Sequence, residues 1–522
     1  MPTLYFKGKT FVQNHHLAVK YHQLVPKKEL SLSNKVSLHD NLIIQGDNLK
    51  ALKALLPTYA GKIKCIYIDP PYNTGSDNWI YNDNVNSPMI REWLGHVVDK
   101  EDMTRHDKWL CMMMPRLKLL RDLLAEDGVI FISIDDNEES HLRILVDEIF
   151  TETNFLGKLP RRTKAGGGSA AADFAIEHDY VLVYAKNKVY LPKLFIPHDP
   201  EYALRYKEED EEGKYFWDTM ERSSTATTPY KITAPDGSIL TGKWFRAEDT
   251  FKADLKKGEV KFLKKKDGNW SVQFKQRMGA GKKIRSLIEN EFKSNQAEYE
   301  QFGIKVQFNY PKPVSLIKEL IQASTEPEDI ILDSFAGSGT TAHAVLELNK
   351  EDGGNRKFIL VEQEEYANTI TAERVRRVIK GVKTSKNENL KNGLGGTFSY
   401  FQLGPEIEME SVLRGNNLPS FIEFARYLFY TATGEEFNEK AINTKTGFIG
   451  ESKNYEIYLQ YKPDIDWLKK NALTLDGVKA LPPFSKKQRL VFGPAKYVDD
   501  FTLLENRVDF CQLPYEIYRL QK

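Results

Sequence analysis

The sequence contains few of the features that build extracellular scaffolds or membrane anchors. It has three cysteines in 522 residues, Cys65, Cys111 and Cys511, and their wide spacing argues against a disulfide framework and against a zinc site. The first residues lack an apolar signal core, and no apolar run approaches the roughly 18 residues of a membrane span. We therefore expect a soluble cytoplasmic protein with no metal site and no membrane partner.

The chain also lacks an excess of charge of either sign. Its 74 Lys and Arg against 73 Asp and Glu give a net charge of +1, so an anionic partner must be met by a local patch. Internal repeats are not evident, and no helicase-type phosphate loop is found. With 522 residues, the chain is expected to divide into two or three domains.

Two regions show the alternation of short apolar runs and longer amphipathic segments that is typical of an α/β fold with a parallel sheet. In residues 40–187, strands are predicted at "KIKCIYIDPP", "DGVIFISIDD" and "DYVLVYAKN", with a helix at "HDKWLCMMMPRLKLLRDLLAEDG" that Pro115 interrupts or restarts. In residues 301–380, strands at "DIILD" and "RKFILVEQ" flank a helix at "TAHAVLELNK". Neither region has a full sheet, so we expect the two to join.

Residues 188–300 differ in composition and are expected to form an inserted domain. Pro235-Asp236-Gly237 indicates a hairpin between short β-like runs. From Lys252 to Arg285 there are 12 Lys and Arg against 3 acids, a net of +9, with aromatic residues interleaved. This pattern fits a solvated basic face and equally fits a surface for nucleic acid. Residues 1–39 are expected to be an N-terminal extension and residues 381–522 a C-terminal α/β domain without a chemical motif.

The run "DIILDSFAGSGTT" places a strand, a glycine turn and a helix start in succession. Gly337 and Gly339 would bring backbone amides close to a ligand, although a tight structural turn also explains them. No Lys follows the second glycine, which disfavours a phosphate loop. Glu362 ends the next strand, where its carboxylate can accept both ribose hydroxyls. A nucleoside without a pyrophosphate therefore fits best.

A second motif ends another buried strand with Asp69, Pro70, Pro71 and Tyr72. Proline cannot continue a central strand, so a Pro-Pro turn after the strand accounts for "DPP" in structural terms. The two prolines would also make the backbone rigid and fix the carbonyl between them.

Together the motifs resemble those of beta-class DNA amino-methyltransferases. "DSFAGSGTT" resembles their cofactor motif and "DPPY" their catalytic motif, in circularly permuted order. Other segments are similar to the modification (Mod) subunits of Type III restriction-modification systems: "NLIIQGDNLKALKAL", "DGVIFISIDDNE", "TKAGGG" with "EHDYVLVYAKN", and "FNYPKPVSLIKEL". The resemblance is close over residues 40–190 and 300–380. It implies a Rossmann-like, S-adenosyl-L-methionine-dependent fold with an inserted target-recognition domain.

The resemblance also implies a set of cofactor-binding residues. Some would line the cofactor, some would close its methionine end, and each has an ordinary structural alternative. Phe335 could belong to the core, Lys312 could be a surface charge, and Asp47 could be a helix cap. The implied set is Asp47, Lys312, Pro313, Ser315, Asp333, Phe335, Gly337, Gly339 and Glu362.

For "DPPY" the resemblance implies catalysis. The Asp69 carboxylate and Pro70 carbonyl would accept both hydrogens of an exocyclic amine and localise its lone pair. Pro71 would add rigidity, and Tyr72 would stack on a base flipped out of duplex DNA. Asp at the first position is usual for adenine N6 and Ser for cytosine N4, so adenine is favoured and cytosine stays open.

The resemblance implies double-stranded DNA as substrate, a restriction (helicase-nuclease) subunit as a possible partner, and a homodimer. A mainly DNA-reading role beside such a partner is the non-enzymatic alternative. The loop with Lys158, Arg161, Arg162 and Lys164 would be a DNA clamp or an ordinary flexible loop. Residues of the insertion that could reach phosphates or base edges are Arg222, Arg246, Gln273, Gln276 and Arg277.

Overall fold

The structure is a computed structural model, and it describes most of the chain. The described residues are 3–74, 104–163, 174–221, 229–289, 299–304, 308, 311–407, 418–435, 437–483 and 486–513. Lys164 and Arg222 lie outside these ranges. Among the described residues, none of the helices combines the length and apolar character needed to cross a membrane.

The elements are numbered in chain order. The strands are β1 His22–Pro26, β2 Leu42–Gln45, β3 Ile63–Ile68, β4 Leu124–Ile134, β5 Phe155–Arg162, β6 His178–Ala185, β7 Phe195–Ile196, β8 Glu208–Asp210, β9 Gly213–Thr219, β10 Pro229–Thr233, β11 Ile239–Lys243, β12 Val260–Lys264, β13 Trp270–Arg277, β14 Lys282–Lys283, β15 Ile330–Asp333, β16 Lys357–Glu362, β17 Ser399–Glu406, β18 Phe448–Glu451, β19 Tyr455–Leu459, β20 Leu473–Thr474, β21 Gln488–Gly493, β22 Lys496–Tyr497 and β23 Val508–Gln512. The helices are α1 Lys9–Val12, α2 His15–Ala18, α3 Asn48–Tyr59, α4 Arg105–Leu123, α5 Glu139–Phe150, α6 Pro200–Ala203, α7 Glu248–Lys256, α8 Val314–Ser324, α9 Thr340–Asp352, α10 Glu373–Lys380, α11 Glu388–Asn392, α12 Phe421–Thr433, α13 Ile465–Lys470, α14 Leu475–Lys479 and α15 Asp500–Glu505.

A nine-stranded sheet joins the two α/β regions, as predicted. Its order is β1-β17-β2-β16-β15-β3-β4-β6-β5. Strands β17, β2, β16, β15, β3 and β4 are parallel, whereas β6 runs antiparallel to both β4 and β5. The predicted α/β class is confirmed, because the two strands from residues 301–380 lie between strands from residues 40–187 within one sheet.

The central strand β3 and helix α4 follow from their sequences. All six side chains of "IKCIYI" are buried, as expected for an interior strand covered on both faces. Helix α4 begins with a capping box formed by Thr104 and Asp107, and it continues through Pro115 without a break. Trp109 and the leucines of its inner face belong to the main hydrophobic core.

The chain segments on either side of the α/β regions also contribute to this sheet. Strand β1 pairs antiparallel with β17, and β17 pairs parallel with β2. The boundaries near residues 39 and 381 therefore do not coincide with edges of the sheet. Further along, β18, β19, β21 and β23 form a separate four-stranded sheet.

Residues Leu194–Ile284 form a second compact unit. Its four-stranded antiparallel sheet has the order β12-β13-β9-β8, beside the hairpin β10-β11. The hairpin turn predicted at Pro235-Asp236-Gly237 is confirmed, since β10 and β11 pair across it. The unit has its own small core: Met220, Ile232, Trp244, Phe251, Val260, Val272 and Phe274.

Candidate active site

The two motifs meet where the strand order of the sheet reverses. Strands β15 and β3 are parallel neighbours, with Ile331 opposite Cys65. From β15 the chain passes to β16 on one side, and from β3 it passes to β4 on the other. The two connections diverge and leave a crevice at the carboxyl ends of these strands, where open α/β sheets bind ligands. Asp333 ends β15 and Asp69 follows β3 at this edge.

The glycine turn is tightly built. Gly337 and Gly339 have φ angles of 50° and 78°, in the left-handed region. A Cβ at Gly337 would lie 3.0 Å from a Phe308 ring carbon, and one at Gly339 would lie 3.1 Å from the Thr371 carbonyl oxygen. Both the backbone conformation and the close neighbours therefore require glycine.

Two buried carboxyl groups border this turn. Glu362 accepts the Gly337 N–H at 2.7 Å and the Glu364 N–H at 3.0 Å. Asp333 accepts the Phe335 N–H at 3.0 Å and the Thr341 hydroxyl at 2.5 Å. Burial raises the pKa of Asp333 and of Glu362 to about 7, even though these hydrogen bonds oppose the shift. Each group can therefore change charge near neutral pH.

Two more polar atoms at this edge are buried without a hydrogen-bond partner among the described residues. They are the Asn48 Oδ1 and the Ser334 Oγ, while the Asn48 amide itself donates to the Ser334 carbonyl. Buried polar groups usually have partners, so these atoms fit a polar ligand in the crevice. Asp47 caps helix α3 by accepting the Lys50 N–H at 2.9 Å, which confirms the cap and leaves its cofactor role a prediction.

Asp69 is held by a lysine from the other half of the fold. The Lys312 ammonium donates to both Asp69 carboxylate oxygens at 2.6 Å and to the Tyr72 hydroxyl at 2.9 Å. It also lies 4.8 Å from the Tyr72 ring centroid. Lys312 is thus neither a simple surface charge nor remote from "DPPY", because it contacts two of its four residues.

A buried ion pair supports Tyr72 from the other side. The Tyr72 hydroxyl lies 3.4 Å from an Asp179 oxygen, and Asp179 receives two hydrogen bonds from the Arg161 guanidinium, one of them 2.8 Å long. Arg161 is only 7% exposed. Arg161 therefore does not lie in a surface loop as predicted: it belongs to β5 and its charge is paired with Asp179 inside the fold, which does not support the predicted DNA contact. Burial, reinforced by Asp69, raises the pKa of Tyr72 well above its usual range.

The other predicted residues occupy varied places. Trp109 donates its indole N–H to the Pro71 carbonyl at 2.7 Å, and Pro70 is buried, so the turn is fixed by contacts as well as by its prolines. Phe335 belongs to the main core. Pro313 is buried at the N-cap of α8, whereas Ser315 is exposed in the first turn.

Sequence reasoning missed the residues that hold the glycine turn from behind. Arg374, 1% exposed, donates to the Ser338 hydroxyl at 2.9 Å and to the Thr340 hydroxyl at 2.8 Å. Thr371 donates its hydroxyl to the Gly337 carbonyl at 2.5 Å. Both come from the segment after β16, and only the fold brings them to the turn.

The predicted DNA-contacting residues fall into two groups. Lys158 is partly exposed, 3.4 Å from Glu139, and Arg162 is partly exposed, 3.3 Å from Glu177. In the inserted unit, Arg246 pairs with Asp254, and Arg277 is held by three acidic side chains: Asp210, Glu212 and Glu259. The prediction that Arg246 and Arg277 read base edges is not supported, since carboxylates already engage both guanidinium groups. Other cations of the unit are exposed, and most of them are lysines: Arg205, Lys207, Lys214, Lys231, Lys243, Lys252, Lys256, Lys257, Lys264, Lys265, Lys266, Lys282 and Lys283.

A parallel sheet whose switch point brings a strand-glycine turn-helix beside an Asp-Pro-Pro-Tyr turn has the arrangement expected of DNA amino-methyltransferases. The family model described as DNA methylase matches residues 63–373, more than half of the chain. The chain belongs to the DNA methylase family.

Among characterised relatives, the chain is similar to subunits of Type III restriction-modification enzymes. It is 32% identical to the EcoPI Mod subunit of Escherichia phage P1 over 443 residues, 72% of this chain and 67% of that protein. It is 30% identical to the StyLTI Mod subunit of Salmonella typhimurium over 506 residues, 88% of this chain and 77% of that protein. It is also 34% identical to the Type II methyltransferase M.KpnI of Klebsiella pneumoniae over 345 residues, 61% and 79% of the two chains.

Proposed function

We propose that this chain transfers a methyl group from S-adenosylmethionine to N6 of an adenine in duplex DNA, as the modification subunit of a Type III restriction-modification system. The observation that carries the proposal is the position of Asp69 and the glycine turn at the ends of two adjacent parallel strands. An amine acceptor and a nucleoside site then share one crevice. The Type III context is supported by the similarity to the EcoPI and StyLTI Mod subunits.

The residues around the glycine turn, which form the glycine side of the crevice, fit S-adenosylmethionine. Glu362 would accept the ribose hydroxyls with the lone pairs that its backbone donors leave free. The unpartnered Asn48 Oδ1 and Ser334 Oγ offer further polar contacts. When bound there, S-adenosylmethionine supplies an electrophilic methyl group on its sulfonium.

The residues around the DPPY turn, which form the DPPY side of the crevice, would activate the exocyclic amine of the target base. Asp69 and the Pro70 carbonyl would accept the two N–H hydrogens, which localises the nitrogen lone pair. Positive charge then develops on that nitrogen, so a fixed carboxylate stabilises the transition state more than the ground state. Tyr72, anchored at its hydroxyl by Lys312 and Asp179, would present its ring to the flipped base.

Lys312 must give way for this chemistry. Its ammonium donates to both oxygens of Asp69, which are the oxygens that the target amine needs. An ammonium left in that position would also repel the positive charge that develops on the amine nitrogen. We therefore expect Lys312 to release Asp69 when the base enters, and to keep the carboxylate oriented until then.

Target recognition would come from the inserted unit. Its exposed lysines can neutralise phosphates and set the register of the protein on DNA. A helicase-nuclease restriction subunit would be the partner in this system. We also expect a homodimer, in which one copy reads the site while the other modifies it, and light scattering of the purified chain tests this.

The purified chain, incubated with methyl-labelled S-adenosylmethionine and duplex DNA, tests the proposal directly. We expect transfer without a partner, and nuclease digestion followed by mass analysis should give N6-methyladenine. N4-methylcytosine would overturn the assignment of the target base. DNA binding without transfer at high enzyme concentration would instead favour a mainly DNA-reading subunit.

A further inference from the structure

Two histidines and one buried glutamate converge behind the DPPY turn. One ring nitrogen of His106, one ring nitrogen of His141 and a Glu138 carboxylate oxygen lie within 4.8 Å of one another. His106 is in the first turn of α4, Glu138 is the N-cap of α5, and His141 is three residues further along that helix. Three side chains with metal-binding atoms thus meet at the starts of two helices.

Hydrogen bonding accounts for only part of this cluster. His106 Nδ1 lies 2.7 Å from Glu138 Oε1, and the Asn73 amide also donates to that oxygen. The other oxygen, Oε2, and His141 Nδ1 are 3.1 Å apart but lack hydrogen-bonding geometry, and both are buried without another partner among the described residues. Glu138 itself is fully buried.

The charge of Glu138 is also uncompensated by a lysine or arginine. Its ion pairs within the described residues are with His106 and His141 alone. A buried carboxylate normally needs a cation or several donors, because desolvation of a charge is costly.

We propose that His106, Glu138 and His141 form a binding site for a divalent transition-metal ion such as Zn²⁺. Two imidazole nitrogens and one carboxylate are the ligand set of many zinc and non-haem iron sites, whereas Mg²⁺ and Ca²⁺ prefer oxygen alone. Tetrahedral metal bonds of about 2.1 Å place neighbouring ligand atoms about 3.4 Å apart. The two nitrogen–oxygen separations, 2.7 and 3.1 Å, are shorter than that, so the side chains would move apart by less than about 1 Å to admit the ion.

The surroundings suit entry and orientation of the ion. The side chains of His106 and His141 are 32% and 34% exposed, so solvent reaches the site from the histidine side. Asn73 orients the carboxylate from behind, as hydrogen-bonded partners of metal ligands commonly do. A metal on His106 Nδ1 would replace the hydrogen bond to Glu138 by two metal bonds, place the proton on Nε2, and release a long, exposed contact of 3.4 Å with Arg105.

A bound ion would stabilise the conformation of the chain at the end of the DPPY turn. Asn73 follows Tyr72 with a φ of 56°, a left-handed conformation that few residues other than glycine adopt. Its amide also donates to the Arg105 carbonyl at 3.3 Å. Binding at Glu138 would therefore link the turn to the first turns of α4 and α5. The wide spacing of the three cysteines argued against a zinc site, whereas His106 and the Glu138-x-x-His141 pair, more than thirty residues apart, come together only in the fold.

Titration of the chelator-treated full chain with Zn²⁺, without cofactor or DNA, tests the site. We expect one ion per chain by elemental analysis, tight binding in competition with a chromophoric chelator, and a rise in melting temperature. Co²⁺ in place of Zn²⁺ should give visible absorption bands of a low-symmetry nitrogen–oxygen site. An absence of stoichiometric binding by the unmodified chain would overturn the proposal, whatever its methylation activity.

Two variants and a control locate the ion. His106→Ala and His141→Ala should each weaken Zn²⁺ binding by more than about tenfold, since even loss of a group that only orients a ligand costs that much. His39→Ala removes an exposed histidine elsewhere and should leave affinity unchanged. Equal affinity in all three variants would place the ion at another site and overturn the assignment. If either cluster variant is unfolded, the cobalt spectrum of the unmodified chain decides.

Discussion

The two sides of the crevice hold their carboxylates in different ways. On the DPPY side, Asp69 is about a quarter exposed and meets the side-chain ammonium of Lys312. On the glycine side, Asp333 and Glu362 are buried and meet mainly backbone N–H groups. An ammonium on a flexible chain can leave, whereas backbone donors cannot. The first arrangement suits a group that must exchange partners during a reaction, and the second suits a group that binds a ligand in a fixed geometry.

Removing the charge of Asp69 should have the largest effect. Asp69→Asn keeps the size of the side chain but offers one acceptor oxygen and an unwanted donor. We expect methyl transfer to fall by about 10³-fold, the size of effect seen when a preorganised polar group is removed from a transition state. Cofactor affinity, set on the glycine side, should change less than about threefold. Initial rates and calorimetric titration measure the two quantities.

The exposed Asp509 provides the control for this variant. Asp509→Asn removes the same charge far along the chain and should leave the rate unchanged. Near-normal turnover of Asp69→Asn would contradict the role given to the carboxylate, and parallel losses of rate and cofactor affinity would mean that the two sides do not act separately.

The glycine side should respond in the opposite way, by losing the cofactor first. Gly337→Val places a side chain where Phe308 lies 3.0 Å away and where φ is 50°. Left-handed backbone costs a residue with a Cβ about 1–2 kcal/mol, and the filled space adds to that cost. We expect cofactor affinity to fall by more than about tenfold, measured by calorimetry.

Gly61 provides the control that separates backbone strain from the loss of space for the cofactor. Its φ is 69°, and a Cβ there would meet nothing within 4 Å. Gly61→Val should therefore lower stability by a similar strain but leave cofactor affinity intact. Unchanged affinity in Gly337→Val would refute the placement of the ligand at this turn.

The sequence predicted most of the fold and the centre of the site, for a physical reason. "DPPY" and "DSFAGSGTT" are continuous runs in which strand, turn and helix signals follow one another, so local rules apply. The supporting contacts join distant residues: Asn73 with Glu138 at a separation of 65, Tyr72 with Asp179 at 107, and Arg374 with Ser338 at 36. No local pattern encodes such pairs.

Arg161 also shows that local sequence patterns do not reveal which residues pair in the folded protein. A basic loop beside a glycine run predicts a phosphate contact, and composition does not distinguish a free guanidinium from a paired one. Its partner Asp179 lies on the neighbouring strand β6, opposite Arg161 in the ladder. Register, which is a property of the folded sheet, decides the role of the residue.

Arg161 gives a third test, on the DPPY side. Arg161→Gln leaves Asp179 as an unpaired buried charge, and breaking such a pair costs about 3–5 kcal/mol. We expect a loss of stability of this order in chemical denaturation, with DNA affinity of the folded fraction little changed. Lys158→Gln should instead lower DNA affinity and leave stability little changed, because Lys158 is partly exposed. The double variant Arg161→Gln/Asp179→Asn should be more stable than Arg161→Gln alone, because no buried charge is left unpaired. If Arg161→Gln instead lost DNA affinity without losing stability, the DNA-clamp interpretation would be favoured again.

The smallest expected effect is the pH dependence of stability and of cofactor affinity that arises from Glu362 on the glycine side. Burial raises the pKa of Glu362 from an ordinary 4.5 to about 7, so the folded state binds an extra proton between those values. The stabilising contribution of this group is therefore fully present below about pH 4.5 and is lost as the pH rises through 7. Glu362→Gln, which is neutral throughout, should gain stability relative to the unmodified chain over that range. The difference is measured by denaturation at successive pH values.

Cofactor binding should move in the opposite direction. In the proposed complex the ionised Glu362 would accept both ribose hydroxyls, whereas the protonated form would spend one oxygen as a donor. Affinity should fall by up to about tenfold per pH unit below 7 in the unmodified chain, and the fall should be smaller in Glu362→Gln, where Asp333 still changes charge near 7. Glu388→Gln, at an exposed position, should keep the full pH dependence. Stability and affinity that changed with the same sign would contradict the assignment, because a carboxylate that is costly to ionise in the free protein is useful only when the ligand requires its charge.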